Sequence, residues 1–274
     1  MNKGGPAVVA GVDGSEQSVR AARWAAGEAA MRRLPLHLLL VNDDPMRTDY
    51  CDTALADAVR QCLEVAPGLE VTTEITFGHP VEELVHVSGR APLVVIGSRG
   101  HGGFLDAMLG SVGAAVASHG GCPVIVTRGT SGSGPVVVGV DNSRGSRTAL
   151  EFAFDEASRR QTGLVAVQAL PDAYFHPGPF PHPDREELRA AADRHLAEQL
   201  TGWSEKYPDV EVRKIATNEH PVAALGEAAQ GAQLLVVGHR GRGGFTGMLL
   251  GSVATGVLHH APCPVAVVRT DRGS

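Results

Sequence analysis

The chain repeats itself, and that limits its fold more than any single residue does. Ala7-Val-Val-Ala-Gly-Val-Asp-Gly-Ser15 returns as Pro135-Val-Val-Val-Gly-Val-Asp-Asn-Ser143, which sets Asp13 against Asp141. Leu93 to Val112 matches Leu234 to Val253 at 12 of 20 positions, and Cys122-Pro-Val-Ile-Val-Thr-Arg128 returns as Cys263-Pro-Val-Ala-Val-Val-Arg269. Three blocks recurring in one order require a duplicated domain. The expected boundaries are a first domain over 1–128, a Gly/Ser linker over 129–134 that behaves as a flexible connection, and a second domain over 135–274. The first block recurs at an offset of 128 and the later ones at 141, so the second copy carries 13 extra residues. They are expected in Pro171–Pro183, whose five prolines favour neither helix nor strand.

Within each copy the hydrophobic pattern alternates. Val8–Val12, Leu36–Val41, Glu70–Thr76, Leu93–Ile96 and Val124–Thr127 read as strands, most of them short apolar runs without period. Ser18–Arg32, Thr53–Glu64, the segment from His79 with Pro80 in its first turn, and Ser111–Ser118 read as helices. Strands separated by helices form a parallel sheet covered on both faces. The fold class is therefore α/β, with two tandem doubly wound parallel sheets of five strands each. Aromatic residues make up only 4% of the chain, so Val, Leu, Ile and Ala must build the core.

Composition excludes several functions. The formal charge of −6, from 24 basic and 30 acidic residues, offers no basic stripe for nucleic acid. No apolar run approaches the ~18 residues that span a bilayer, and Ala7–Val12 is too short for a secretory signal, so a cytoplasmic protein with no membrane partner is expected. Cys51, Cys62, Cys122 and Cys263 lack any metal-ligand spacing and read as reduced thiols. His259 and His260 read as a helix end before a buried Cys263, not as metal ligands, and no metal site is expected. His176 and His182 read as solvated loop residues. Glu82 and Glu83 point different ways on a helix, which rules out a catalytic dyad.

The chemistry concentrates in glycines. After the strand Leu93–Ile96 stand Gly97-Ser-Arg-Gly100, nine residues, and Gly110-Ser111; after Leu234–Val237 stand Gly238-His-Arg-Gly241, nine residues, and Gly251-Ser252. Glycine lets a backbone N–H approach a ligand with no Cβ in the way. A helix opening at Gly110 or Gly251 presents free N–H groups and a positive dipole end to an anion. The Ser hydroxyls can cap those helices or donate to phosphate, and Arg99 and Arg240 can reach phosphate or cover the surface. Asp13 and Asp141 end strands where α/β sheets bind ligands. The Walker-type Gly-x4-Gly-Lys, the dinucleotide Gly-x-Gly-x2-Gly and the kinase residue set are all absent.

The pattern Gly-x2-Gly-x9-Gly-Ser resembles that of the ATP-binding universal stress proteins, in tandem form, over about 7–128 and 135–270. The resemblance implies an adenine nucleotide alpha hydrolase-like, Rossmann-like fold with the two domains related by a pseudo-two-fold axis. It implies ATP, with Mg2+ beside the phosphates, while ADP or cyclic AMP would satisfy much of the same logic. Asp13 and Asp141, with Val12 and Val140 before them, would lie beside the nucleotide. Val41 and Ala169 would offer backbone groups to adenine. Gly97, Arg99, Gly100, Gly110, Ser111 and Val112 would hold ribose and phosphates, as would Gly238, Arg240, Gly241, Gly251, Ser252 and Val253. Asn142 in place of Gly14 and His239 in place of Ser98 are departures, and the extra Pro-rich segment could cover the second site or block it. The resemblance also implies pairing of Val124–Thr127 with Val265–Val268 within one chain, and it is compatible with a homodimer. The function expected is a nucleotide-dependent stress or regulatory binding module with an unidentified protein partner and at most slow ATP hydrolysis. The alternatives are an ATP-using enzyme and a scaffold with vestigial sites. No catalytic residue is expected, because no lysine or poised base stands in the Gly-rich loops.

Overall fold

Parallel strands need a crossover between them, and alternating strand and helix segments supply it. A computed structural model describes residues 5–44, 48–100, 109–169, 184–241 and 250–270, in two units that divide after Arg128. In unit 1 the strands are β1 (Val8–Val12), β2 (Leu36–Asn42), β3 (Val71–Phe77), β4 (Val94–Gly97) and β5 (Val124–Thr127). They pair in parallel in the order β3-β2-β1-β4-β5. The crossovers are α1 (Glu16–Arg32), α2 (Thr48–Val65), α3 (Pro80–Ser88) and α4 (Ser111–His119). The central strands β1 and β4 are buried on both faces, which is why they carry no polar alternation. The edge strand β3 stays half-exposed and ends on the exposed Phe77.

Unit 2 repeats this plan. Its strands are β6 (Val136–Gly139), β7 (Leu164–Ala169), β8 (Val212–Thr217), β9 (Leu234–Gly238) and β10 (Val265–Val268), ordered β8-β7-β6-β9-β10 and all parallel. Its helices are α5 (Arg144–Arg159), α6 (Arg185–Leu200), α7 (Trp203–Lys206), α8 (Pro221–Ala228) and α9 (Ser252–His260). Each unit is thus the doubly wound five-stranded α/β sheet that the hydrophobic pattern predicts.

The first helix of each unit is set by local chemistry. Ser15 caps α1 by accepting from Ser18 N–H at 3.2 Å, and Ser143 caps α5 by accepting from Ser146 N–H at 3.1 Å. Ala21, Ala22, Ala25, Ala26 and Ala29 are fully buried on one face of α1. Side chains this small let the helix lie close to the sheet. α1 stops at Arg33, whose left-handed backbone (φ 55°) returns its N–H to the last carbonyls.

Two expectations change. The Gly/Ser segment after Arg128 is tied to unit 2 and does not hang free. Thr130 N–H donates to Pro262 O at 3.1 Å, Gly132 N–H to Ala232 O at 3.0 Å and Gly134 N–H to Gly231 O at 2.9 Å. Glycine makes the segment pliable when unattached, but it equally lets the backbone lie close enough to another backbone to bond it. The insertion is also divided. β2 and β7 begin 128 residues apart (Leu36, Leu164), α2 and α6 begin 137 apart (Thr48, Arg185), and β3 and β8 begin 141 apart (Val71, Val212). Part of the insertion therefore follows the Pro-rich stretch and forms α7. There Trp203 and Tyr207 stack on Phe154 of α5, with ring centroids at 5.0 and 5.3 Å. Pro171–Pro183, with His176 and His182, lies outside the described residues.

Candidate functional site

The chain leaves β1 for β2 on one side, and β4 returns on the other, so a crevice opens beyond the carboxyl ends of β1 and β4. In unit 1 this crevice is a cavity of about 580 Å3. All nine residues expected at the first site line it: Val12, Asp13, Val41, Gly97, Arg99, Gly100, Gly110, Ser111 and Val112.

One end of the cavity is apolar, with Leu39, Pro80, Leu84 and Ile96 in its wall. Here β2 outruns its neighbour. Pairing between β1 and β2 ends at Val12↔Leu40, while β2 runs on to Asn42. Val8 N–H donates to Pro35 O and Gly78 N–H to Asn42 O, so odd-numbered residues of β2 turn their carbonyls toward β1. Val41 is the first such residue beyond the end of β1, and its carbonyl faces the crevice.

The other end of the cavity is built for charge. Gly110 N–H donates to Ser98 O at 2.8 Å, which sets the start of α4 against the end of β4. The helical ladder begins with Ala114 N–H to Gly110 O at 3.0 Å, so the amides of Ser111, Val112 and Gly113 have no intrahelical acceptor. Gly110 is the N-cap and brings no side chain; Ser111 is the first helical residue, and its exposed hydroxyl does not cap. Asp13 Oδ1 accepts from Ser15 N–H at 2.9 Å, which fixes the carboxylate at the lip. A Cβ on Gly100 would overlap Asp13 Oδ2, so only glycine passes there without moving the acid. Gly97 has a different job: its missing side chain lets the first turn of α1 approach, a Cβ lying 3.1 Å from the Gln17 carbonyl. Arg99 adds a guanidinium to the wall, and Arg128 stands near enough to feel it. Burial, and then the charge of Arg99, holds Arg128 below the ordinary guanidinium value.

Unit 2 keeps the same backbone cradle. Asp141 Oδ1 accepts from Ser143 N–H at 3.0 Å, and a Cβ on Gly241 would overlap Asp141 Oδ2. Gly251 N–H donates to His239 O at 3.0 Å, and Gly251 caps α9 ahead of Ser252 and Val253. Val140 is buried at the end of β6, and Ala169 ends β7 in register with Thr217. Arg240 is exposed, and its carbonyl lies 3.5 Å from Ser143 Oγ. His239 is buried, as Ser98 is, so the substitution adds bulk after the end of β9. Asn142 adopts φ 64°, close to the φ 85° of Gly14; Asn is one of the few residues that accept this conformation.

Tyr50 was not legible from the repeat. It comes from α2, lines the unit 1 cavity and donates from its hydroxyl to Asp13 O at 3.1 Å. The insertion breaks the correspondence between copies just where Tyr50 falls, so only the fold brings it to Asp13. Ser18, in the first turn of α1, also lines the cavity. Elsewhere His259 and His260 close α9 and Cys263 is buried, in line with a helix end. Among the described residues no cluster of three or more His, Cys, Asp or Glu could hold a metal, and no helix is long and apolar enough to cross a membrane.

The profile of the Universal stress protein family matches residues 6–128 and 133–269. Universal stress protein Rv2005c of Mycobacterium tuberculosis is 41% identical over 286 residues, covering 96% of each chain. Universal stress protein Rv2623 of the same species is 35% identical over 287 residues, again covering 96% of each. The crystal structure of a universal stress protein from Archaeoglobus fulgidus superposes with a TM-score of 0.70 at 22% identity over 97% of each chain, which bears on the fold alone. The chain belongs to the universal stress protein family, with two such domains in tandem.

Proposed function

We propose that unit 1 binds an adenine nucleotide, ATP in the first place, and that the protein is a nucleotide-dependent binding module of the stress response and no dedicated hydrolase. The observation that carries this reading is the unit 1 cavity, where a strand-end carbonyl, a fixed carboxylate, an arginine and the open amides of α4 converge. Its volume of about 580 Å3 falls in the range of small-molecule sites. The apolar end and the Val41 carbonyl suit adenine, whose exocyclic amine needs an acceptor. The amides of Ser111, Val112 and Gly113, with Arg99, suit phosphates. Three or four hydrogen bonds to a charged group, at about 1.5–3 kcal/mol each, support micromolar affinity after association costs. Mg2+ would be held mainly by phosphate oxygens, with Asp13 as a carboxylate within the cavity, and would neutralise phosphate charge there.

The test is to purify the protein without added ligand, denature it and quantify released nucleotide per chain. The same measurement is made on Gly110→Val, whose branched side chain would stand against the Ser98 and Arg99 backbone at that end of the cavity. Nucleotide in the parent and its loss from a folded variant supports the reading. An empty parent that also fails to bind added MgATP overturns it. Phosphate release from bound ATP at a rate well above the uncatalysed one would move the assignment to an ATP-using enzyme.

A further inference from the structure

Asn42, the last residue of β2, carries an amide that the chain leaves half used. It is 4% exposed and stands in the wall of the unit 1 cavity, directly after Val41. Its Oδ1 accepts from Asp44 N–H at 3.0 Å. Its Nδ2 is buried and finds no acceptor among the described residues. A flipped amide would set two donors against each other, so the bond from Asp44 fixes Nδ2 as a donor. The strand holds the residue in place, since Asn42 pairs with Phe77 of β3 and its carbonyl accepts from Gly78 N–H at 3.3 Å. A buried donor without an acceptor costs stability until something supplies one. The amide torsion of Asn is broad, so Nδ2 turns toward a ligand in the cavity at little cost while Oδ1 keeps its partner. The repeat sets Leu170 at this position in the second copy, which therefore lacks the donor.

We propose that Asn42 reads the base in unit 1: Nδ2 donates to the ring nitrogen of adenine beside the exocyclic amine, N1 or N7, while the Val41 carbonyl accepts from the amine. This deepens the nucleotide reading of unit 1 and rests on it. A free carbonyl and a fixed donor on consecutive residues call for a ligand edge that carries a donor and an acceptor side by side. Adenine presents that edge twice, from its amine with N1 and from its amine with N7. Guanine carries an oxygen in place of the amine, and that oxygen would face the Val41 carbonyl. Because Nδ2 is already stripped of water, an analogue without the ring nitrogen leaves it unpaired, and sites of this kind discriminate more sharply than apolar ones.

The experiment is calorimetric titration of the full chain with ATP, 1-deaza-ATP and 7-deaza-ATP, each with Mg2+, for the parent, Asn42→Leu and Asn42→Asp, with circular dichroism on every variant. Affinities are read at the site that Gly110→Val removes. The parent is expected to bind one of the two analogues about tenfold or more weaker than ATP. Asn42→Leu is expected to lose about the same factor for ATP and to bind that analogue as well as it binds ATP. Asn42→Asp keeps an acceptor for Asp44 N–H but removes the donor, and is expected to abolish the preference too, which covers a Leu variant that fails to fold. A parent that binds both analogues as tightly as ATP overturns the proposal and leaves the unit 1 reading standing. So does a preference that survives in a folded Asn42 variant, since the donor then lies elsewhere. A parent that binds no MgATP, or that keeps all its binding in a folded Gly110→Val protein, removes the unit 1 reading and this inference with it.

Discussion

Gly100 shows how much one hydrogen decides at this site. Its α-carbon passes so close to the Asp13 carboxylate that a methyl group would overlap Oδ2, and Gly241 meets Asp141 in the same way. Gly100→Ala must therefore shift the Asp13 carboxylate, and MgATP affinity measured by titration is expected to fall about tenfold or more, the equivalent of one good hydrogen bond. The cysteines respond to their surroundings in another way. Burial pushes the thiols of Cys62, Cys122 and Cys263 from 9.0 up to about 12. At pH 8 each is thiolate at only about one part in 10⁴, so an alkylating reagent is expected to leave these three unmodified until the protein is denatured. The sign of the pH effect follows. Above pH 9 the unfolded chain loses thiol protons that the folded chain keeps, so stability falls as pH rises from about 9 to about 12, which denaturant titration at stepped pH would show.

At the scale of elements, the repeat extends to buried charge. Glu28 pairs with Arg32 at 2.6 Å on α1, and Glu156 pairs with Arg160 at 2.8 Å on α5, at the same place in each unit. Both acids are almost fully buried, and i,i+4 spacing lets the arginine follow them in. Arg160→Met removes the guanidinium from a buried carboxyl group, and is expected to cost about 3–5 kcal/mol in denaturant unfolding; replacing both residues by apolar ones is expected to cost far less. The sequence shows the i,i+4 spacing but not the burial, because the same spacing on a solvated face gives an ordinary surface pair. α7 marks the opposite case. No periodicity announces a helix of four residues, and its position depends on Trp203 and Tyr207 finding Phe154.

At the scale of the molecule, the segment joining the units behaves as part of the second. A Cβ on Gly132 would overlap the Gly231 carbonyl, and the Gly132 amide bonds Ala232 O. Gly132→Ala is expected to destabilise unit 2 by about 1–3 kcal/mol, read as an earlier thermal transition, while MgATP still binds the unit 1 site. A segment that was merely a flexible connection would tolerate the change without loss.

The two sheets and the order of their helices were open to a reader of the sequence because short apolar runs and Ala-rich stretches fix local structure, and duplication states the pattern twice. Asp13, Gly100, Gly110 and Ser111 were open to the same reader, because glycine spacing at strand ends is itself a backbone constraint. Tyr50 was not. It comes from α2, just where the insertion ends the correspondence between copies, and its contact spans 37 residues to Asp13. Local sequence sets the strands, the caps and the cradle. What stands over the cradle depends on where a helix lands, and that is decided by long-range packing, which no local pattern encodes.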